Sequence, residues 1–76
     1  MTLDKHQIDG IGRITSKTLP VQTFEQLLLN GGYSKIGTAP AQGNRIKAWW
    51  IHPIYSRLEV IYSSDMRIAI TAYHTS

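Results

Sequence analysis

Three short segments, Arg45–Ile51, Arg57–Tyr62 and Arg67–Tyr73, are dense in β-branched and aromatic residues and begin ten to twelve positions apart. That spacing leaves room only for tight connections. Neighbouring segments must therefore pair antiparallel, because a parallel pair needs a crossover of about a dozen residues or more. In the second segment Leu58, Val60 and Tyr62 alternate with Arg57, Glu59 and Ile61; in the third, Ile68, Ile70 and Ala72 alternate with Arg67, Ala69, Thr71 and Tyr73. Such alternation sends one set of side chains to each face of a sheet. Pro53 bounds the first connection and Ser63-Ser64-Asp65 the second, both of turn-forming composition. The pattern predicts a three-strand meander over 45–73, with one face on a core and the other carrying charged and amphipathic side chains.

One helix is available to cover that sheet. Thr23 with Gln26 three residues later has the form of a capping box, and Phe24, Leu27 and Leu28 make an apolar stripe. Asn30-Gly31-Gly32 supplies a left-handed stop. The expected helix, 23–31, is too short to persist alone and needs packing to hold it. Gly37–Asn44 is rich in turn formers without apolar periodicity and reads as a loop; it lacks the G-x-x-x-x-G-K-[ST] spacing of a phosphate-binding loop. In residues 1–20, Gly10 and Gly12 interrupt Ile8, Ile11 and Ile14, which predicts an extended arm or edge strand ending at Pro20. With 76 residues there is room for one core. The fold class expected is α+β: a single domain, 1–76, with one short helix packed on a three- or four-stranded antiparallel β-meander.

Composition narrows the chemistry. There is no cysteine, so disulfides, thiolate metal sites and thiol nucleophiles are excluded. The longest apolar run, Ala48–Ile51, is far too short for a membrane span, and the first residues lack the apolar stretch of a signal peptide. The expectation is a cytoplasmic protein with no membrane contact. Eight Lys+Arg against five Asp+Glu leave a net charge of +3. Arg45, Lys47, Arg57 and Arg67 fall in the C-terminal half beside only two acids, Glu59 and Asp65. A basic face suits RNA or another polyanion.

Three histidines are candidate ligands or acid–base groups. His6 lies in the N-terminal arm, while His52 and His74 follow the first and third strands and fall at the same end of a meander. No His-x-x-x-His pair or third ligand accompanies them, so no metal and no cofactor are expected. Cleavage of RNA needs a base for the 2′-hydroxyl, a cation on the phosphate and an acid for the leaving oxygen. Glu59 is the candidate base, Arg57 or Lys47 the clamp, and His74 the acid. Adjacent Trp49 and Trp50 point to opposite faces of a strand, so either one is core and the other is open to bases or a partner, or both are tucked under the helix or the N-terminal arm. Arg45, Lys47, Trp49, Tyr55, Arg67 and Tyr73 form the candidate binding set.

The run Tyr62-Ser63-Ser64-Asp65, with Thr71 and His74 after it, resembles the last hairpin of barnase-type microbial ribonucleases. More broadly, Lys47-Ala48-Trp49-Trp50, Arg57-Leu58-Glu59-Val60-Ile61 and Arg67–His74 are similar to the three-strand core of RelE/HigB-type toxins. The likeness covers residues 44–75. It implies a helix-on-meander ribonuclease fold, action on messenger RNA at the ribosome, and His74 as general acid; the role of Glu59 rests on the residues alone. The leading expectation is thus a small RNA-directed protein of the endoribonuclease-toxin type. The alternative is a non-enzymatic phage- or plasmid-type protein that binds a host or cognate protein through a sheet face or edge. A homodimer pairing through Arg67–Tyr73 is compatible with either.

Overall fold

The computed structural model describes residues 2–75. After a short 3-10 turn, Leu3–Lys5, come strand β1 (Leu19–Pro20), helix α1 (Val21–Asn30), and strands β2 (Ser34–Pro40), β3 (Ile46–Ile51), β4 (Leu58–Tyr62) and β5 (Ile68–His74). The strands form one antiparallel sheet in the order β1-β5-β4-β3-β2. The α+β class is as expected, but the sheet has five strands rather than three or four.

The three central strands lie within a residue of the expected bounds, because their alternating pattern matches one buried face. Leu58, Val60 and Tyr62 are fully buried, as are Ala48 and Trp50 on β3. On β5 a bulge at Ile70 shifts the register, so Ala69 sits opposite Tyr62 and Ala72 opposite Val60. Both alanines thereby reach the core although they are three residues apart.

The remaining two strands are the edges, and of these the sequence announced only β1. The segment read as a loop from Gly37 contains most of β2. Its pairing with β3 skips a residue between Lys35 and Gly37, and no residue of β2 is buried. A strand that faces water on both sides and carries a bulge has no period-two signal to read. Pro40, which cannot donate to a ladder, is tolerated because the strand is an edge. β1 is only two residues long and ends at Pro20, the point where the arm was expected to finish.

The helix spans 21–30 rather than 23–31. Its N-terminus is not capped by Thr23, which lies inside the first turn; Pro20 occupies the cap position with no side-chain cap. The Val21 amide instead donates to the carbonyl of Arg67 at 2.8 Å, so the sheet supplies the acceptor that the capping box would have supplied. Val21, Phe24 and Leu28 are the buried stripe, whereas Leu27 sits at its margin. At the C-terminus Gly32 adopts φ +94°, the left-handed stop expected there.

A polar chain joins helix to sheet. The Tyr62 hydroxyl donates to Glu25 Oε2 at 2.7 Å and accepts from Trp50 Nε1 at 3.3 Å. Lys35 Nζ pairs with the same carboxylate oxygen at 2.9 Å and lies 5.6 Å and 5.8 Å from the ring centres of Tyr62 and Trp50. Burial, followed by the hydrogen bond to Glu25, drives the Tyr62 hydroxyl upward from its ordinary pKa.

Phe24 is fully buried and central to this single layer, so Phe24→Ala is expected to cost about 3–5 kcal/mol. Chemical denaturation should register that loss, while Leu29→Ala on the exposed side should change stability by less than about 0.5 kcal/mol.

Candidate functional site

The helix covers one face of the sheet and leaves the other open. Across the open face the register places Gly37, Trp49, Glu59 and Tyr73 in one row, and Ala39, Lys47, Ile61 and Thr71 in the next. Trp49 and Trp50 do point apart: Trp50 is core, while Trp49 is half-buried on the open side.

Glu59 is the hub of this surface. Trp49 Nε1 donates to its Oε1 at 3.1 Å, the Tyr73 hydroxyl donates to Oε2, and Lys47 Nζ lies 3.8 Å from Oε2. The hydrogen bond to Glu59 is the main reason that the Tyr73 hydroxyl is raised above its ordinary pKa. Beside the hub, Gln42, Arg45, Lys47, Ile61, Thr71 and Tyr73 enclose a cleft of about 410 Å3. Arg45 and Arg57 form no ion pair among the described residues; the Arg57 Nε donates to the Thr75 hydroxyl at 3.2 Å.

Of the residues singled out from the sequence, Arg45, Lys47, Trp49, Glu59 and Tyr73 are therefore brought together. Arg57 precedes β4 at the end of the same face. The others sit elsewhere. Arg67 is at the β4–β5 turn, 4.0 Å from Asp65, in a depression it shares with Pro20, Val21 and Met66. Tyr55 packs in the β3–β4 loop against His52, with ring centres 4.4 Å apart, and against Gly10. Gly10 has φ +82°, and a Cβ there would lie 2.5 Å from Tyr55 Cε2, so only glycine fits that approach.

His74 has both ring nitrogens engaged by backbone. The Asp9 amide donates to Nε2 at 3.0 Å, which leaves the proton on Nδ1 to donate to the Ser56 carbonyl at 2.9 Å. Its register partner is Leu58, a core residue. His74 thus clamps the N-terminal segment to the β3–β4 loop. It does not join the Glu59 cluster, and the general acid implied by the resemblance has no free ring nitrogen in this arrangement. His52 has the same use: Ile54 donates to Nδ1 at 3.0 Å, and Nε2 donates to the Gly31 carbonyl at 2.9 Å. Among the described residues no three His, Asp or Glu side chains are grouped to hold a metal, and no helix is long and apolar enough to cross a membrane.

The Tyr-Ser-Ser-Asp run that carried the resemblance closes the β4–β5 turn. Ser63 Oγ donates to Asp65 and accepts from the Ile68 amide at 3.1 Å, and Asp65 accepts from the Arg67 amide at 3.1 Å. The Ser63 hydroxyl, then the Arg67 amide, hold the Asp65 carboxyl below its usual range. Against protein-family models, characterised proteins and solved structures, the chain has no match.

One residue that sequence reasoning set aside lies at the margin of the open face. The His6 ring meets the Tyr73 ring edge-on, with centroids 5.9 Å apart. No local pattern signals a contact across that separation in the chain. The Arg67–Tyr73 edge, named for a homodimer, is paired with β1 at Ile68 and Ala69. Farther along, Thr71 and His74 bond to Thr2 and Asp9 of the N-terminal segment.

The clamp at Asp9 yields two expectations. His74→Ala removes two hydrogen bonds, both exposed enough for water to replace, and is expected to destabilise by about 0.5–1.5 kcal/mol in urea titrations, while the sheet face keeps its geometry. The Tyr33 hydroxyl, which donates to the Asp9 carbonyl at 2.6 Å, is pushed up to about 12, chiefly by burial and then by the charge of Asp9. A phenol raised from 10.0 to about 12 contributes stability that is complete below the lower value and lost as pH rises through the higher one. Urea midpoints taken at about pH 9 and about pH 11 should fall more steeply for the parent than for Tyr33→Phe.

Proposed function

We propose that the protein binds single-stranded RNA on the open face of its sheet. One observation carries this reading: the half-buried rings of Trp49 and Tyr73 share a row, and along the strands on either side of that row stands an arginine, Arg45 or Arg57, that pairs with no carboxylate among the described residues. Bases stack on aromatic rings whatever their identity, and phosphates follow the cations. Gly37 opposite Trp49 has no side chain, which leaves that flank of the indole uncovered.

Glu59 serves this reading as an organiser. It orients the Trp49 indole, the Tyr73 ring and the Lys47 ammonium, and so holds two stacking surfaces and a cation at fixed positions before any strand arrives. Cleavage is a separate matter. With His74 committed to Asp9 and Ser56, binding stands without the acid–base pair that a ribonuclease of the resembled type uses.

A second reading, docking of a protein partner, has one observation in its favour. Ile36 on β2, the edge strand, Ile51 at the end of its neighbour β3 and Ile54 in the loop that follows are exposed, at 55%, 44% and 79%. The cations make RNA the better reading, since a hydrophobic partner gains nothing from them.

Fluorescence anisotropy with a labelled oligouridylate tests it. The parent should bind with a marked salt dependence, and Arg45→Ala/Lys47→Ala should weaken binding by about tenfold or more. Binding that is absent, or unaffected by that pair, would defeat the proposal. The same RNA incubated alone and with ribosomes, beside Glu59→Gln and His74→Ala, reports whether any cleavage accompanies binding.

A further inference from the structure

A concavity outside the sheet cleft is made by the N-terminal segment itself. Lys5, His6 and Gln7 on one side, with Arg13 on the other, bound a depression of about 320 Å3. Its wall adjoins the open face, because His6, which lines it, packs on Tyr73, which lines the cleft. A second tie lies one row along, where the Thr71 hydroxyl donates to the Thr2 carbonyl at 3.5 Å.

The depression holds two cations, Lys5 and Arg13, against one carboxylate, Asp4, a positive balance that favours an anion. Lys5 and Arg13 are exposed and form no ion pair among the described residues. Asp4, the carboxylate in the wall, accepts a hydrogen bond from the Thr2 hydroxyl, and that bond is the main reason its carboxyl lies below the usual range. Gln7 offers both a donor and an acceptor, which is what a ribose 2′-hydroxyl requires.

We propose that this depression is a second subsite for the RNA strand, in which Lys5 and Arg13 hold a backbone phosphate beyond the one engaged at Arg45 and Lys47. The inference rests on the RNA-binding reading and extends it: the strand crosses Tyr73 and continues over His6 onto the N-terminal segment. That segment then does more than close the sheet edge, because it supplies half of the binding track.

The test compares Lys5→Ala/Arg13→Ala, Lys17→Ala and Arg45→Ala/Lys47→Ala with the parent, using labelled octauridylate over a range of salt. Lys17 is exposed and lines neither cavity, but its charge reaches Asp4 in the wall of the depression, so it controls for loss of a nearby charge that does not line the subsite. Thermal melts verify that each variant is folded. Lys5→Ala/Arg13→Ala should weaken octauridylate about tenfold and lower the salt slope by about 0.7, the share of one phosphate contact on a single strand. Lys17→Ala should change affinity by less than about twofold. An unchanged Lys5→Ala/Arg13→Ala beside a weakened Arg45→Ala/Lys47→Ala would overturn the subsite and leave the sheet-face reading standing. Equal weakening per charge at Lys17 would also overturn it, as diffuse attraction. Failure of the parent to bind would remove the sheet-face reading and the subsite together.

Discussion

A ten-residue helix is about 15 Å long, whereas five strands side by side span roughly 19 Å, so α1 can cover only one face of this sheet. The chain has no second helix among the described residues to put on the other face. The core is accordingly one layer thick. It gathers Phe24 and Leu28 from the helix, Trp50, Leu58, Val60 and Tyr62 from the sheet, and Leu3 and Ile8 from the N-terminal segment. What holds the helix at its angle is the Tyr62 hydroxyl, which stands between Glu25 and Trp50. Glu25 is in turn neutralised by Lys35 on β2, so one partly buried carboxylate links helix, edge strand and central strand. A charge at that depth is tolerable because every neighbour donates to it.

The uncovered face follows from the same shortage of helix. A sheet face in water must be made of side chains that accept solvent or engage one another. Here Glu59 gathers Trp49, Tyr73 and Lys47, which keeps two aromatic rings fixed without burying them in a core. The N-terminal segment completes the other side of the molecule. It lacks regular structure from His6 to Thr18, yet it is fastened at Asp9, whose amide donates to His74 and whose carbonyl accepts from Tyr33. His74 and His52 each accept a hydrogen bond from a backbone amide, and both act as fasteners.

How much could be read beforehand depended on whether a residue's role was set by its neighbours in the chain. β3, β4 and β5 were legible because alternation records a single buried face. β2 was not, since it is wetted on both sides and bulged at Ile36; β1 is too short to carry any period. Thr23 had the right form for a cap, but the Arg67 carbonyl reached the first amide two residues earlier. Within the candidate site, Arg45, Lys47, Trp49, Glu59 and Tyr73 were legible as the outward set of an amphipathic meander. His74 and Tyr55 belonged by sequence to the same end of the strands. Their partners, Asp9 and Gly10, lie some sixty and forty-five residues away and could not be inferred from spacing.

Composition and periodicity by themselves determined the α+β class, the single core, the three central strands and the division of Trp49 from Trp50, because these depend on the pleat and on burial alone. The Ser63–Asp65 turn belongs with them, since its hydrogen bonds are made within six residues. Tertiary structure alone decided which histidine became a fastener and which came to lie against the open face. His74 met the Asp9 amide and the Ser56 carbonyl, and His6 met Tyr73. The imidazole ring is chemically the same in both, and its role was assigned by whichever backbone or side-chain groups the fold carried to within hydrogen-bonding or packing distance.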